Sequence, residues 1–303
     1  MSDHGIFLLF CIAISVEFVN FAHGTVKNHK NEVDKLLILR YTKWDIHGKK
    51  RRDSVPRFFI TADQIENGIA TIMGDDAHHL SRSLRAAVGD TVTLCDMAQC
   101  EYDCELIEFL PDCVKARVLS ARPTKTDPPV RIVLYQALPK GDKLDSVIQK
   151  AVECGVAAIV PFESERCVAR AKKESEARKT ERRTRIAHEA AKQCGRGILP
   201  TVHETVSFDE MLSMAAKADR TLFCYEGEGT TPIGTLFSGD IKSTGELALV
   251  IGSEGGFSLS EAERARDAGF WMTGLGKRIL RTETAPIFAL ACISCMLELS
   301  TVQ

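Results

Sequence analysis

From Val130 onward, apolar runs of strand length alternate with amphipathic stretches of helix length, and this rhythm restricts the fold more than any other feature. Residues 130–138 read as a buried strand. Residues 143–154 read as a helix, with Leu144, Val147, Ile148, Ala151 and Val152 along one face and Gly155 at its stop. A strand at 156–162, a long charged helix at 174–194 and a helix at 208–217 follow. Strands at 221–225, 246–251 and 270–275 then alternate with helices at 259–268 and near 285–299. Strands separated by helices cannot pair as hairpins, so the pattern predicts a mostly parallel α/β sheet.

The chain before Val130 has a different rhythm. Residues 57–60, 91–95, 102–110 and 113–119 read as short strands broken by turn residues. One helix, about 76–87, interrupts them and carries His78, His79, Arg82 and Arg85 at helical spacing. These elements suggest a small β-barrel. Three prolines between Ala121 and Pro129 mark the linker. The expected organisation is an extension over 1–52, a barrel domain over 53–122 and an α/β domain over 128–303. Within the extension, residues 6–16 are apolar but too short for a typical membrane span. No Lys or Arg precedes them, so a start-site extension is preferred to a targeting segment, and a cytoplasmic location without membrane contact is expected.

The formal net charge is -2, so bulk charge selects no partner. Local clustering does: residues 166–185 hold nine Lys or Arg against three Glu, which fits a phosphate-binding surface or a solvated helix face. The eleven cysteines are scattered through apolar runs and read as reduced thiols. Cys292 and Cys295 form a lone C-x-x-C, read as packing. No convincing metal-ligand set is present, and none is expected.

Two loops carry the chemistry. The first, Gly252-Ser253-Glu254-Gly255-Gly256-Phe257, joins a buried strand to a helix capped by Ser258 and Glu261. It has neither the G-x-G-x-x-G pattern nor a P-loop lysine. Alone it fits a tight turn as well as a ligand loop. The second, Leu275 to Thr284, places Ile279 and Leu280 inside a polar stretch, where they can wall a flat apolar ligand. Thr282 or Thr284 can cap the last helix, and Pro286 fits its first turn.

Ile251-Gly252-Ser253-Glu254-Gly255-Gly256 followed by Leu275-Gly276-Lys277-Arg278-Ile279-Leu280-Arg281-Thr282-Glu283-Thr284-Ala285 resembles the RsmE branch of the SPOUT RNA methyltransferases. The resemblance includes His79-Leu80-Ser81-Arg82-Ser83-Leu84-Arg85, Lys140-Gly141-Asp142-Lys143, Ser164-Glu165-Arg166-Cys167 and Glu189 to Arg196. It runs from Arg57 to the C-terminus. Ser253 stands where the family commonly has Pro, a change expected to alter loop rigidity but not binding.

The resemblance implies an N-terminal PUA-like β-barrel followed by a C-terminal SPOUT α/β domain with a deep trefoil knot. It implies S-adenosyl-L-methionine held by Tyr225, Gly252, Gly255, Gly256, Leu275, Gly276, Ile279 and Leu280, with Glu226 nearby. It implies a homodimer through the knot. The implied reaction is methylation of N3 of a uridine in 16S ribosomal RNA of the small subunit, uracil 1498 in the family's usual naming. Arg281 is expected to stabilise the uracil anion or a nearby phosphate, and Glu283 to help with proton removal or orient Arg281. Arg57, Arg82, Arg85, Lys140, Lys143, Arg166 and Arg196 are expected to hold the RNA backbone. Another RNA position, or a non-catalytic RNA-binding assembly factor, are the alternatives.

Overall fold

The computed structural model describes residues 55–98, 100–171, 173–235 and 245–299. The extension over 1–52 lies outside the described residues. The first strands are β1 (Arg57–Phe59), β2 (Ile65–Glu66), β3 (Ile69–Met73), β4 (Thr91–Cys95), β5 (Cys100–Phe109) and β6 (Cys113–Pro123). They form one sheet in the order β1-β4-β5-β6-β3-β2. Only β1 with β4 is parallel; the other pairs are antiparallel.

The hairpin of β2 and β3 was not foreseen, although its signal is present. Asn67 and Gly68 both adopt positive φ, 51° and 76°, as the two-residue turn between twisted strands demands. The helix expected over 76–87 is shorter. α1 (Gly74–His78) passes into a single π turn, His79–Ser83. Ala77 and Leu80 are its buried residues, so no apolar stripe remains to continue it, and Arg85 turns away at φ 50°. β6 runs on to Pro123, paired with Cys100, and takes the first residues of the expected linker.

The second sheet contains β7 (Arg131–Ala137), β8 (Ala158–Glu163), β9 (Thr201–Val202), β10 (Val206–Ser207), β11 (Arg220–Cys224), β12 (Thr231–Pro232), β13 (Glu246–Ile251) and β14 (Trp271–Gly274). Its order is β10-β8-β7-β13-β11-β14-β12, with β9 also on β8. Every pair is parallel, as the alternating rhythm predicts. Its helices are α2 (Lys143–Glu153), α3 (Lys173–Cys194), α4 (Phe208–Ala215), α5 (Leu259–Asp267) and α6 (Ala285–Ser294), the last ending in a π turn, Cys295–Leu299. β9, β10 and β12 have two residues each, too short to leave a periodic signal.

Two hydrophobic cores result. One lies in the first sheet around Phe58, Leu80, Leu94 and Leu106. The larger one surrounds Leu134, Ile148, Phe162 and Leu249. They belong to one compact unit starting at Pro56, and a polar seam joins them. Lys192 of α3 pairs with Asp76 at 2.7 Å and lies over the Phe58 ring. Arg196 is 3% exposed; its guanidinium donates to Asp127 and to the carbonyls of Val152 and Val156. Arg57 pairs with Glu101 at 2.8 Å and donates to Cys95 Sγ and the Arg196 carbonyl. Arg196 is thus buried away from any RNA surface, against expectation, and Arg57 is half-buried and already paired. Both guanidiniums are spent on internal acceptors, because burying a cation requires them.

Cys292 is half-buried against the larger core, whereas Cys295 is exposed, so the C-x-x-C is only partly a packing element. Among the described residues no group of three or more potential metal ligands occurs. None of their helices is long and apolar enough to cross a membrane.

Candidate functional site

β11 lies between β13 and β14, all three parallel, so their C-terminal ends open at the same edge of the sheet. The loops leaving these ends enclose a cleft of about 740 Å³, within the range of small-molecule sites. Such crevices at the carboxyl ends of strands are the usual ligand positions in open α/β sheets. Tyr225, Gly252, Gly255, Gly256, Leu275, Gly276, Ile279 and Leu280 all line it, as do Glu226, Lys143, Arg166 and Arg281. Residues more than fifty positions apart in sequence are thus brought to one cavity.

Two glycines explain its shape. A Cβ at Gly255 would sit 2.9 Å from Arg166 Cβ and 3.1 Å from the Arg166 carbonyl oxygen, so the loop holding Arg166 can close over the glycine loop. Arg166 Nη1 also donates to the Gly255 carbonyl at 3.2 Å. Gly276 has φ 101°, which L side chains rarely adopt, and turns the chain from β14 into the last loop. α5 begins on the expected capping box. Ser258 Oγ accepts from the Glu261 amide at 3.2 Å, and the Glu261 carboxylate accepts from the amides of Ser258 and Glu165, at 2.9 Å and 2.7 Å. One carboxylate thereby ties the 164–171 loop to the glycine loop.

The loops are laced together from below by residues that the sequence reading did not assign to the site. Gln136, fully buried at the end of β7, donates from Nε2 to the Gly252 carbonyl at 3.3 Å and to Thr282 Oγ1 at 3.2 Å. Thr282 Oγ1 donates to the same Gly252 carbonyl at 2.9 Å. Thr282 is therefore a tie between loops; Thr284 takes the N-cap position of α6, without a side-chain bond, and Pro286 lies in the first turn. The signal for Gln136 was its amide in the otherwise apolar run Ile132 to Leu138. Its Oε1 and the Oγ of Ser253 are buried without partners among the described residues.

One end of the cleft is charged. Lys143 Nζ lies 2.9 Å from Glu254 Oε1 and 3.3 Å from Glu283 Oε2. Glu254 also accepts from the Lys140 backbone amide at 3.1 Å. Burial works to raise the Glu254 pKa, but Lys143 and the backbone amides outweigh it and hold the carboxyl below its usual range. A backbone hydrogen bond, assisted by Lys143 and Arg281, does the same for Glu283. The Glu254 hydrogen bond pushes the Lys143 pKa up. Arg281 is exposed and lines the cleft, whereas Glu283 stands behind the rim and is linked to it by Lys143.

Among the cations assigned to RNA, Arg82, Arg85, Lys140 and Arg166 are exposed. The basic stretch 166–185 is partly neutralised by ion pairs. Arg170 meets Glu163, Arg182 meets Asp145, Arg183 meets Glu176 and Arg185 meets Glu181.

Residues 126–294 match the family described as RNA methyltransferase domain. The chain is an RNA methyltransferase by fold and by the loops that build its cleft. Over 249 residues it is 36% identical to the ribosomal RNA small subunit methyltransferase E of Bacillus subtilis (strain 168), covering 80% of this chain and 97% of that one. The crystal structure of the Neisseria gonorrhoeae ribosomal RNA small subunit methyltransferase E bound to S-adenosyl methionine superposes with a TM-score of 0.69 at 30% identity, covering 80% of this chain and 98% of that one. The Legionella pneumophila putative methyltransferase Lpg2936, in complex with the bound cofactor SAM, gives 0.69 at 28% identity over 80% and 98%. This chain belongs to the ribosomal RNA small subunit methyltransferase E family.

Proposed function

We propose that the protein transfers a methyl group from S-adenosylmethionine to N3 of a uridine in 16S ribosomal RNA, the position named uracil 1498 in the family. The observation that carries this reading is the cleft itself. Three loops at parallel strand ends make a cavity with glycine and apolar walls on one side and Lys143, Glu254 and Arg281 on the other, with Glu283 behind the rim on Lys143.

The residues fit the methyl donor. Leu275, Ile279 and Leu280 offer apolar faces to a flat ring, the glycine loop lets backbone approach the ligand, and Tyr225 stands at the end of β11. The donor supplies an electrophilic methyl carbon on a sulfonium. The protein must orient the base, exclude water and stabilise the uracil anion. The N3 lone pair of neutral uracil is tied up in the ring's π system, and the in-plane pair that can attack is the one held in the N–H bond, so proton and methyl use the same line of approach. The proton must therefore leave before the methyl carbon arrives. Glu283, kept ionised by its surroundings, is a weak base for so weak an acid. It orients Arg281 instead, and the proton is lost to solvent hydroxide in an equilibrium that precedes methyl transfer. Arg281 stabilises the anion through a uracil carbonyl oxygen.

Exposed Arg82, Arg85, Lys140 and Arg166 hold the RNA backbone in this reading. The first sheet serves as the PUA-like barrel over 53–122 and the second as the knotted domain over 128–303. Leu259 and Ile279, 71% and 84% exposed at the cleft, support a homodimer through these loops. The ten cysteines among the described residues are free thiols, which supports a reducing, cytoplasmic compartment.

The test is methyl transfer from labelled donor to small subunits lacking their own modification, read by reverse transcription and nucleoside analysis. N3 methylation blocks Watson–Crick pairing, so one new stop opposite a uridine, with 3-methyluridine in the digest, is expected. Label without a stop would move the reaction to another position, and donor binding without label would remove catalysis.

A further inference from the structure

Lys143 opens α2, and its ammonium sits where three loops meet. Glu254 approaches it from the loop after β13 and Glu283 from the loop after β14, while the Lys140 amide of its own loop steadies Glu254. Glu283 Oε2 is buried, with no hydrogen-bond partner beyond this ion-pair contact. An ammonium has three tetrahedral donors. The two carboxylates take at most two of them, and Lys143 lines the cleft together with Arg281. A lysine serving as a phosphate tether works as a mobile point charge, and two carboxylates beside it would compete with the phosphate. Carboxylates from two separate loops instead fix the cation in place, as positioning against a reacting group requires.

We propose that Lys143 is a catalytic cation of the methyl-transfer step, its remaining N–H donating to one carbonyl oxygen of the target uracil while Arg281 serves the other. The proposal rests on the uridine reading above. Uracil presents acceptor, donor, acceptor along O2, N3–H and O4. Cations at both carbonyls match that edge and oppose cytosine, whose amino group would face one of them. In the step, N3–H gives its proton to solvent. The in-plane pair left on N3 forms the N–C bond as the C–S bond of the sulfonium breaks and its pair passes to sulfur, while cations at O2 and O4 stabilise the negative charge that the π system shares with both oxygens. The uracil anion becomes neutral methyluracil and the donor leaves as a neutral thioether. The groups facing Lys143 during this step are Glu254 and Glu283, with the Lys140 amide acting on Glu254 and Arg281 on Glu283.

The test compares Lys143→Met and Lys143→Arg with the unaltered full chain in single-turnover methylation across pH, alongside donor titration and RNA binding at several salt concentrations. Lys143→Met should lower the single-turnover rate by on the order of 10²-fold, with donor and RNA affinities within about threefold. The rising limb of its pH–rate profile should move to higher pH. RNA carrying 5-fluorouridine at the target, whose N3–H is more acidic, should recover most of the loss, and Lys143→Arg should recover part of it. An unchanged saturating rate with weaker RNA binding and a salt slope reduced by about one would make Lys143 a phosphate tether and overturn the proposal. A parallel fall in donor affinity with no fluorouridine recovery would make it a structural pin and overturn it too. Absence of 3-methyluridine from the unaltered protein would remove the uridine reading instead.

Discussion

At Gly255 the missing side chain is what lets Arg166 close on the glycine loop. Gly255→Ala must push Arg166 away or tilt the loop, an overpacking cost of about 1–3 kcal/mol. The expected result is a loss of that size in urea denaturation where the clash is kept, or, where the loop tilts to relieve it, roughly five- to hundredfold weaker donor binding by titration calorimetry. Glu254 gives a pH prediction. Its folded pKa lies below the ordinary 4.5, so the ion pair with Lys143 contributes above that pH and is lost as pH falls through the depressed value. Thermal stability, followed by melting from pH 7 downward, should keep this contribution to about pH 5 and then lose it. Glu254→Gln should melt lower throughout and lose that acid limb.

Helices here are fixed by a few polar contacts of unequal weight. Ser258, buried just after the glycine loop, caps α5, and Ser258→Ala should cost about 1 kcal/mol. Glu176 and Arg183 of α3 are both largely buried and bonded at 2.9 Å, and Glu176 also accepts from the Thr205 amide at 3.2 Å. Burial works to raise the Glu176 pKa, but Thr205 and Arg183 hold it down. Arg183→Ala strands that carboxylate and should cost about 3–5 kcal/mol. Urea denaturation of both variants checks the order; equal losses would mean that the α3 pair is solvated. The capping box was legible because both its partners are local. The α3 pair was not, since Glu176 and Arg183 are seven residues apart in a stretch where many charges could pair.

Across the whole molecule the basic residues divide into those that hold the protein together and those left for a partner. Arg196→Met removes the partner of Asp127 and the donor to two carbonyls at the seam. Its melting temperature should fall by several degrees, about 3 kcal/mol, while the salt slope of RNA binding by the folded fraction stays unchanged. Arg82→Ala should do the opposite: unchanged melting, weaker RNA binding and a salt slope lower by about one. Filter binding at several ionic strengths with parallel thermal melts separates the two classes. Sequence pattern placed Arg57, Arg82 and Arg196 together as RNA contacts; the fold separates them.

The sequence by itself determined the parallel sheet, the succession of its longer strands and helices, and the two glycine-bearing loops, which follow from periodicity, capping and turn chemistry acting over a few residues. The residues that line the cleft came from the family resemblance of those loops. Only the tertiary structure decided that Gln136 and Thr282 bind the same carbonyl, that Lys143 sits between Glu254 and Glu283, and that Arg196 is buried against Asp127. Those contacts join residues 30 to 146 positions apart. What a polar side chain does at such range depends on which chain segment is folded against it, and no local pattern records that.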